Sequence, residues 1–274
     1  MKKILVPIDF SADSVNAFEF AIMLANTIGA NVTMMNVKKT KTFEVPFYFK
    51  DFDLSIGKSL DDFFQILFEK YKNTVNNVLD YKIRSGNIYK EITNQAKYDD
   101  AFMIIMGTHG VSGFEELWIG SNAYRVMSNS PCPVITVRNG FPTRVFKNIV
   151  MPIDLSKESR HKVPFVAELA RFCDSTVHIV GVSETSVPDI MSKISIYCQQ
   201  VEEYFIDKDI PCVKQIISGA SITDLTIEYA KKVDAELIAI MTEQLHHNPF
   251  WIGPYAQQMV NHSPIPVLSI SKNH

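Results

Sequence analysis

The sequence lacks any apolar run approaching the ~20 residues that cross a bilayer, so no membrane partner is expected. It lacks an excess of basic charge. Lys and Arg number 27 against 30 Asp and Glu, for a formal net charge of -3, and no Lys/Arg cluster stands out, so no nucleic-acid partner is expected. Paired cysteines are absent too: Cys132, Cys173, Cys198 and Cys212 are scattered and form no CxxC. That argues against a disulfide framework or a zinc site and for buried free thiols in a reducing, cytoplasmic setting. No GxGxxG follows the first predicted strand and no GxxxxGK[ST] occurs anywhere, which argues against Rossmann dehydrogenases and P-loop enzymes. The opening MKKILVPIDF has two lysines before apolar residues, as a secretory leader would. Its apolar stretch stops at Asp9, too short for such a leader. What is present is globular: 46% apolar and 21% charged residues over 274 positions, enough for one large domain or two of ordinary size.

The chain repeats itself. MKKILVPIDFS at the start returns as FKNIVMPIDLS at 146–156. At the same offset Phe20, Leu24, Ala25, Val32 and Val37 meet Phe165, Leu169, Ala170, Val177 and Val182. Near the ends, Ser130-Pro-Cys-Pro-Val-Ile-Thr-Val137 matches Ser263-Pro-Ile-Pro-Val-Leu-Ser-Ile270, and Trp118-Ile-Gly120 matches Trp251-Ile-Gly253. The second offset is smaller, so the second repeat is shorter; the surplus of the first is the aromatic stretch at 42–56. Self-similarity of this period marks tandem units. The seam is the turn-rich Asn139-Gly-Phe-Pro142, giving domains 1–140 and 145–274.

Within the first repeat, Ile4–Ile8 reads as a strand buried on both faces. Ser11 caps a helix whose Val15, Phe18, Ile22, Ala25 and Ile28 share one side, and Gly29 ends it. Val32–Val37 is the next strand. Leu60, Phe63, Phe64, Leu67, Tyr71, Val75 and Val78 follow at helical spacing. A strand at Leu79–Arg84, a helix from Asn87, a buried strand at Phe102–Met106, a helix from Ser121 and a strand at Val134–Val137 complete it. Alternating strands and helices imply βαβ units, so each repeat is predicted to be an α/β, Rossmann-like domain with a five-stranded, parallel, doubly wound sheet. Such sheets bind ligands beyond the carboxyl ends of their strands, where the strand order reverses.

The residues there suit a phosphate-bearing ligand. Pro7-Ile8-Asp9 follows the first strand, and Met106-Gly107-Thr108-His109-Gly110 follows the fourth. Nine residues later Gly120-Ser121-Asn122 opens a helix. Glycines let backbone N–H groups approach oxygens, a helix N-terminus adds unpaired donors and partial positive charge, and Ser121 adds a hydroxyl. Asp9 would accept from ribose or base donors, or hold Mg²⁺. The same glycines can also serve only to turn the chain. Taken together, Gly107-x2-Gly110-x9-Gly120-Ser121, the first strand ending in Asp9 and the closing Ser-Pro-Cys-Pro-Val strand resemble the universal stress protein family, once per repeat.

That resemblance implies the adenine nucleotide alpha hydrolase-like form of the fold and a site for ATP, ADP or AMP. Pro7, Ile8 and Asp9 would lie beside ribose and base, and Val37 would offer backbone groups to the adenine. Met106, Gly107, Gly110, Gly120, Ser121 and Asn122 would surround ribose and phosphates, with His109 in the same loop. Glu115 and Glu116 depart from this picture, because their charge opposes a triphosphate unless they point away or act through Mg²⁺.

The second repeat keeps Asp154 but not the loop. In a direct alignment Thr242 stands for Gly107, Leu245 for Gly110 and Pro254 for Ser121, which predicts strain at any positive φ and the loss of a hydroxyl and an N–H donor. One nucleotide site, in the first domain, is therefore expected. His246, His247 and His262 complete no metal set, and Trp118 and Trp251 read as packing residues. Three function classes stay open: a nucleotide-binding regulator in the stress response, a slow ATPase for which Asp9 and His109 are the sole candidate groups, and a scaffold that kept only the fold. No catalytic residue and no dedicated metal site is assigned. The two repeats resemble a fused pair of one-domain family members joined through Val134–Val137 and Val267–Ile270, and a homodimer of chains is compatible with that.

Overall fold

In the computed structural model, residues 1–38, 59–108, 119–242 and 252–271 are described. The chain divides into two compact units, Met1–Thr143 and Arg144–His274. Unit 1 runs β1 (Lys3–Pro7), α1 (Ala12–Ile28), β2 (Asn31–Lys38), α2 (Leu60–Tyr71), β3 (Leu79–Ser85), α3 (Ile88–Tyr98), β4 (Met103–Gly107), α4 (Ser121–Asn129) and β5 (Val134–Val137). Unit 2 runs β6 (Asn148–Ile153), a 3₁₀ turn at Glu158–Arg160, α5 (Val163–Cys173), β7 (Thr176–Ser183), α6 (Pro188–Ile206), β8 (Cys212–Ser218), α7 (Ile222–Lys232), β9 (Leu237–Met241), α8 (Pro254–His262) and β10 (Val267–Ile270). The strand order is β3-β2-β1-β4-β5 in unit 1 and β8-β7-β6-β9-β10 in unit 2. Every pairing within each unit is parallel. These are two tandem Rossmann-like domains, and the order reverses between β1 and β4, and between β6 and β9.

The central strands are apolar because helices cover both of their faces: Ile4, Leu5, Val6 and Met103–Ile105 are at most 1% exposed. The Ser11 side chain accepts the Ser14 N–H at 3.2 Å and opens α1. Gly29 closes it at φ 68°. At the matching C-cap of α5 stands Asp174, at φ 52°. Aspartate tolerates this region better than most residues. α1 is more deeply buried than a single stripe predicts, since Ala17, Phe20, Ala21 and Leu24 are enclosed as well. The cause is a second layer, for α1 packs on the sheet while Phe18 meets the Tyr71 ring of α2 at 5.2 Å.

α2 ends earlier than its apolar spacing predicts. Residues 72–74 form a turn, Val75 follows it, and Val78 is 59% exposed. Asn26 of α1 is the reason: its side-chain N–H donates to the Thr74 carbonyl at 2.7 Å, and its oxygen accepts the Asn76 N–H at 2.8 Å. Asn77 donates to the Ala30 carbonyl at 3.2 Å. These bonds hold the segment out of helical geometry and steer it into β3. All four cysteines are free. Cys132, Cys173 and Cys198 are buried as expected, whereas Cys212 on the edge strand β8 is half-buried. Among the described residues no helix is long and apolar enough to cross a membrane.

The tightest backbone approach near the reversal point in unit 1 is between β4 and α1. A Cβ built on Gly107 would stand 2.8 Å from the Asp13 Cβ and 2.9 Å from its carbonyl carbon. Gly107 does not have a positive φ; it is glycine for space. Gly107→Ala is therefore expected to cost about 1–3 kcal/mol by overpacking, read as a lower urea midpoint with no ligand present. Asp13→Gly added to it should recover only part, because the backbone of residue 13 also obstructs. An unchanged midpoint for Gly107→Ala would contradict this role.

Candidate functional site

The carboxyl ends of β1, β2 and β4 and the start of α3 enclose a cleft of about 110 Å³ in unit 1. Pro7, Ile8, Asp9, Val37, Met106, Gly107 and Asn122 line it, together with Ser14, Met35, Asn36, Ile88 and Ile92. The first seven are residues that the family resemblance of the sequence singles out, and the last five are not. His109 and Gly110 lie outside the described residues, as do Glu115, Glu116, Trp118, His246, His247 and Trp251. Gly120 and Ser121 are not on the cleft wall. Gly120 is the N-cap of α4, with its N–H on the Thr108 carbonyl at 2.9 Å, and no side chain caps the helix. The exposed Ser121 is the first helical residue. An uncapped helix start offers backbone N–H donors and partial positive charge.

Asp9 is held by its own loop. Its Oδ1 accepts the Ser11 N–H at 3.0 Å and the Ser11 hydroxyl at 2.5 Å. Phe10, between them, has φ 64°, a left-handed backbone that costs a bulky residue ~1–3 kcal/mol. The ring is 2% exposed and packs on Phe63 and Phe64 with centroids 5.5 and 5.1 Å away. Burial of that ring opposes the strain and fixes the loop that presents Asp9. The Asn36 side chain donates to the Ile8 carbonyl at 2.7 Å and ties the ends of β1 and β2 together. A single polar residue near the end of an apolar strand is the signal that could have drawn attention to Asn36.

Unit 2 supplies an internal comparison and one correction. β4 sets Ile104 beside Leu5, and β9 sets Ile238 beside Val150, the counterpart of Leu5. Thr108 donates its N–H to Val137 at 3.2 Å and Thr242 donates to Ile270 at 2.9 Å. Thr242 is therefore the counterpart of Thr108, and Met241 that of Gly107. The direct alignment is out by one residue, and the obstruction in unit 2 is a methionine side chain, not a strained threonine. Leu245 lies outside the described residues.

With Met241 in place of the glycine, the first turn after β6 is 3₁₀ and α5 begins only at Val163. Lys162, at the place of Ala17, is 1% exposed and donates from Nζ to the Ser159 carbonyl. Tyr255, at the place of Asn122, donates or accepts at Thr226 Oγ1 at 3.5 Å. Both line, with Asp154, Ser159 and Met241, what remains of the inner cleft, about 10 Å³. That is about the space of one water. Lys162 and Tyr255 escape a motif search because neither belongs to a motif; a lysine replacing an alanine on a buried helix face is the signal that points to them.

Burial of the Lys162 amine pushes its pKa down to about 7, against the opposing pull of the Asp154 carboxylate and a smaller one from Cys198. Burial pushes the Tyr255 phenol up.

Two five-stranded parallel domains in series, one open and one filled at its reversal point, define a tandem Rossmann-like protein. The model of the Universal stress protein family matches residues 1–138 and again 146–271, and the chain belongs to that family. Universal stress protein YxiE of Bacillus subtilis is 29% identical over 151 residues, covering 50% of this chain and 98% of that protein. A universal stress protein of Staphylococcus saprophyticus is 27% identical over 142 residues, covering 50% of this chain and 83% of its own. A universal stress protein structure from Archaeoglobus fulgidus covers 98% of both chains with a TM-score of 0.74 at 16% identity. One from Pseudomonas aeruginosa covers 99% of this chain and 93% of its own with a TM-score of 0.66 at 15% identity. The last two likenesses concern the fold.

The lysine makes a pH prediction. Between about pH 7 and the ordinary value of 10.5 the unfolded chain holds a proton on Lys162 that the folded chain does not. Stability therefore rises with pH across that window. The buried thiols of Cys132 and Cys198, pushed up to about 11, and Cys173, pushed up to about 12, act in the opposite sense above roughly pH 9. Chemical unfolding from pH 7 to 9 should show a stability gain that Lys162→Met removes. Equal slopes for both proteins would contradict the buried, largely neutral amine.

Proposed function

We infer that unit 1 binds an adenine nucleotide, that unit 2 does not bind one in the family's manner, and that the protein acts as a nucleotide-binding regulator in the stress response. The observation carrying this is the contrast between equivalent places: about 110 Å³ open in unit 1 and about 10 Å³ left in unit 2 by Lys162 and Tyr255. The open space is smaller than the ~300–1,000 Å³ of a whole-ligand pocket. It suits the nucleoside part, with Val37 and Asn36 near the base and Asp9 near the ribose. The phosphates would then extend toward the uncapped start of α4. No three His, Cys, Asp or Glu among the described residues come together as a metal site, so Mg²⁺ enters this proposal only as a companion of the phosphates.

Binding is favoured over turnover by the chemistry of the wall. Among the described lining residues Asp9 is the one carboxylate, with Oδ1 engaged by Ser11, and there is no His, Cys or Lys. General acid–base chemistry needs a group within reach of the reacting proton, and the described wall offers little beyond Asp9.

Calorimetric titration with ATP, ADP and AMP, with and without Mg²⁺, tests the proposal. Saturable binding is expected, and Asn122→Tyr, which imports the side chain that fills unit 2, should weaken it at least about tenfold, or 1.4 kcal/mol. Full affinity in Asn122→Tyr would contradict the placement of the ligand. Absence of binding by the unaltered protein would leave a nucleotide-independent scaffold.

A further inference from the structure

The filling of unit 2 is incomplete. Lys162 and Tyr255 take the inner part of the cleft, but an outer recess of about 340 Å³ remains at the ends of β6 and β7. Asp154, Val182 and Ile222 on its wall are the counterparts of Asp9, Val37 and Ile88 on the unit 1 cleft. The recess thus continues the same ligand position outward. Its size falls within the range of small-molecule sites.

Two sequence differences shape it. Leu155, at the place of the buried Phe10, does not have a left-handed backbone and is 41% exposed, so its side chain joins the outer wall. Gly181 stands where unit 1 has Asn36, and a Cβ there would meet Ile194 Cγ2 at 2.7 Å and Cys198 Sγ at 3.0 Å. The missing side chain lets α6 close on the sheet and brings the buried Ile194 to the recess.

The chemistry of the wall selects a ligand. Leu155, Val182, Ile194 and Ile222 supply an apolar body, while Asp154 and Glu184 supply carboxylates, Asp154 with its Oδ1 already accepting the Ser156 N–H at 2.8 Å and hydroxyl at 2.5 Å, and neither Lys nor Arg is among the described lining residues. Lys162, just behind, is enclosed and turned to the Ser159 carbonyl. Among the described lining residues phosphate would meet two carboxylates and neither Lys nor Arg. Ionised carboxylates only accept hydrogen bonds, so a ligand that fits this wall brings donors on a largely apolar frame. We propose that the outer recess of unit 2 binds a phosphate-free purine nucleoside, with its ring among Val182, Ile194 and Ile222 and its hydroxyl or amino donors facing Asp154 and Glu184. The choice of a nucleoside rests on unit 1 being an adenine-nucleotide site. The chain then carries two sites of opposite preference, one for the charged nucleotide and one for its dephosphorylated form.

Methyl NMR of the full chain, labelled at isoleucine δ-methyls, separates the two sites. The signals of Ile88, Ile92, Ile194 and Ile222 are assigned through Ile88→Val, Ile92→Val, Ile194→Val and Ile222→Val, and adenosine and ATP are titrated in parallel. Adenosine is expected to move Ile194 and Ile222 saturably, while ATP leaves them in place. Ile222→Trp, which fills the recess from its half-exposed rim, should weaken adenosine there about tenfold or more, and Glu184→Lys should admit AMP and weaken adenosine. Adenosine that leaves Ile194 and Ile222 unmoved overturns the proposal, as does ATP that moves them equally. Silence of Ile88 and Ile92 toward ATP overturns the unit 1 proposal instead, so the two failures are distinguishable.

Discussion

At the end of β4 the backbone of Gly107 lies so close to the start of α1 that no side chain fits between them. Much of the difference between the two units follows from that approach. With glycine present, α1 begins immediately after Ser11, and the cleft is bounded by Ser14, Gly107 and Asn122. With Met241 there, the equivalent helix loses its regular first turn and starts only after Lys162. The lysine stem then turns inward and fills what unit 1 leaves open.

A buried lysine is an expensive way to fill a cavity, since its charged form loses solvation. The amine lowers that cost by tending toward neutrality near pH 7 and by donating to the Ser159 carbonyl beside Asp154. Unit 2 is thus not a worn copy with an empty groove. Its inner cleft is packed by its own side chains. The strain in unit 1 lies elsewhere, at the left-handed Phe10, and there a buried aromatic contact with α2 opposes it. The two units therefore carry their costs at different positions, Phe10 just after the first strand of unit 1 and Lys162 at the place of Ala17 in unit 2.

Much of the fold is legible in the sequence because its determinants are local: apolar runs for β1 and β4, Ser11 as a cap, Asn87 as a helix start, and Gly29 as a stop. Offset identities at both ends of the repeats disclose the tandem plan. The end of α2 is not legible, because Asn26 imposes it from a different helix. The cleft wall is legible where it follows strand ends, as at Asp9, Val37 and Gly107. It is hidden where it depends on packing, as at Ile88, Ile92 and Asn36. Lys162 and Tyr255 are hidden for a further reason: a one-residue slip in aligning β9 puts Thr242 opposite Gly107 and conceals the larger Met241.

Unit 1 is proposed to hold one nucleotide, and the matching inner cleft of unit 2 is filled by the protein itself. Native mass spectrometry of the full chain with increasing ADP tests it most directly, because it counts bound nucleotides per chain. Saturation at one per chain is expected, and a second nucleotide bound with comparable affinity would contradict a single site.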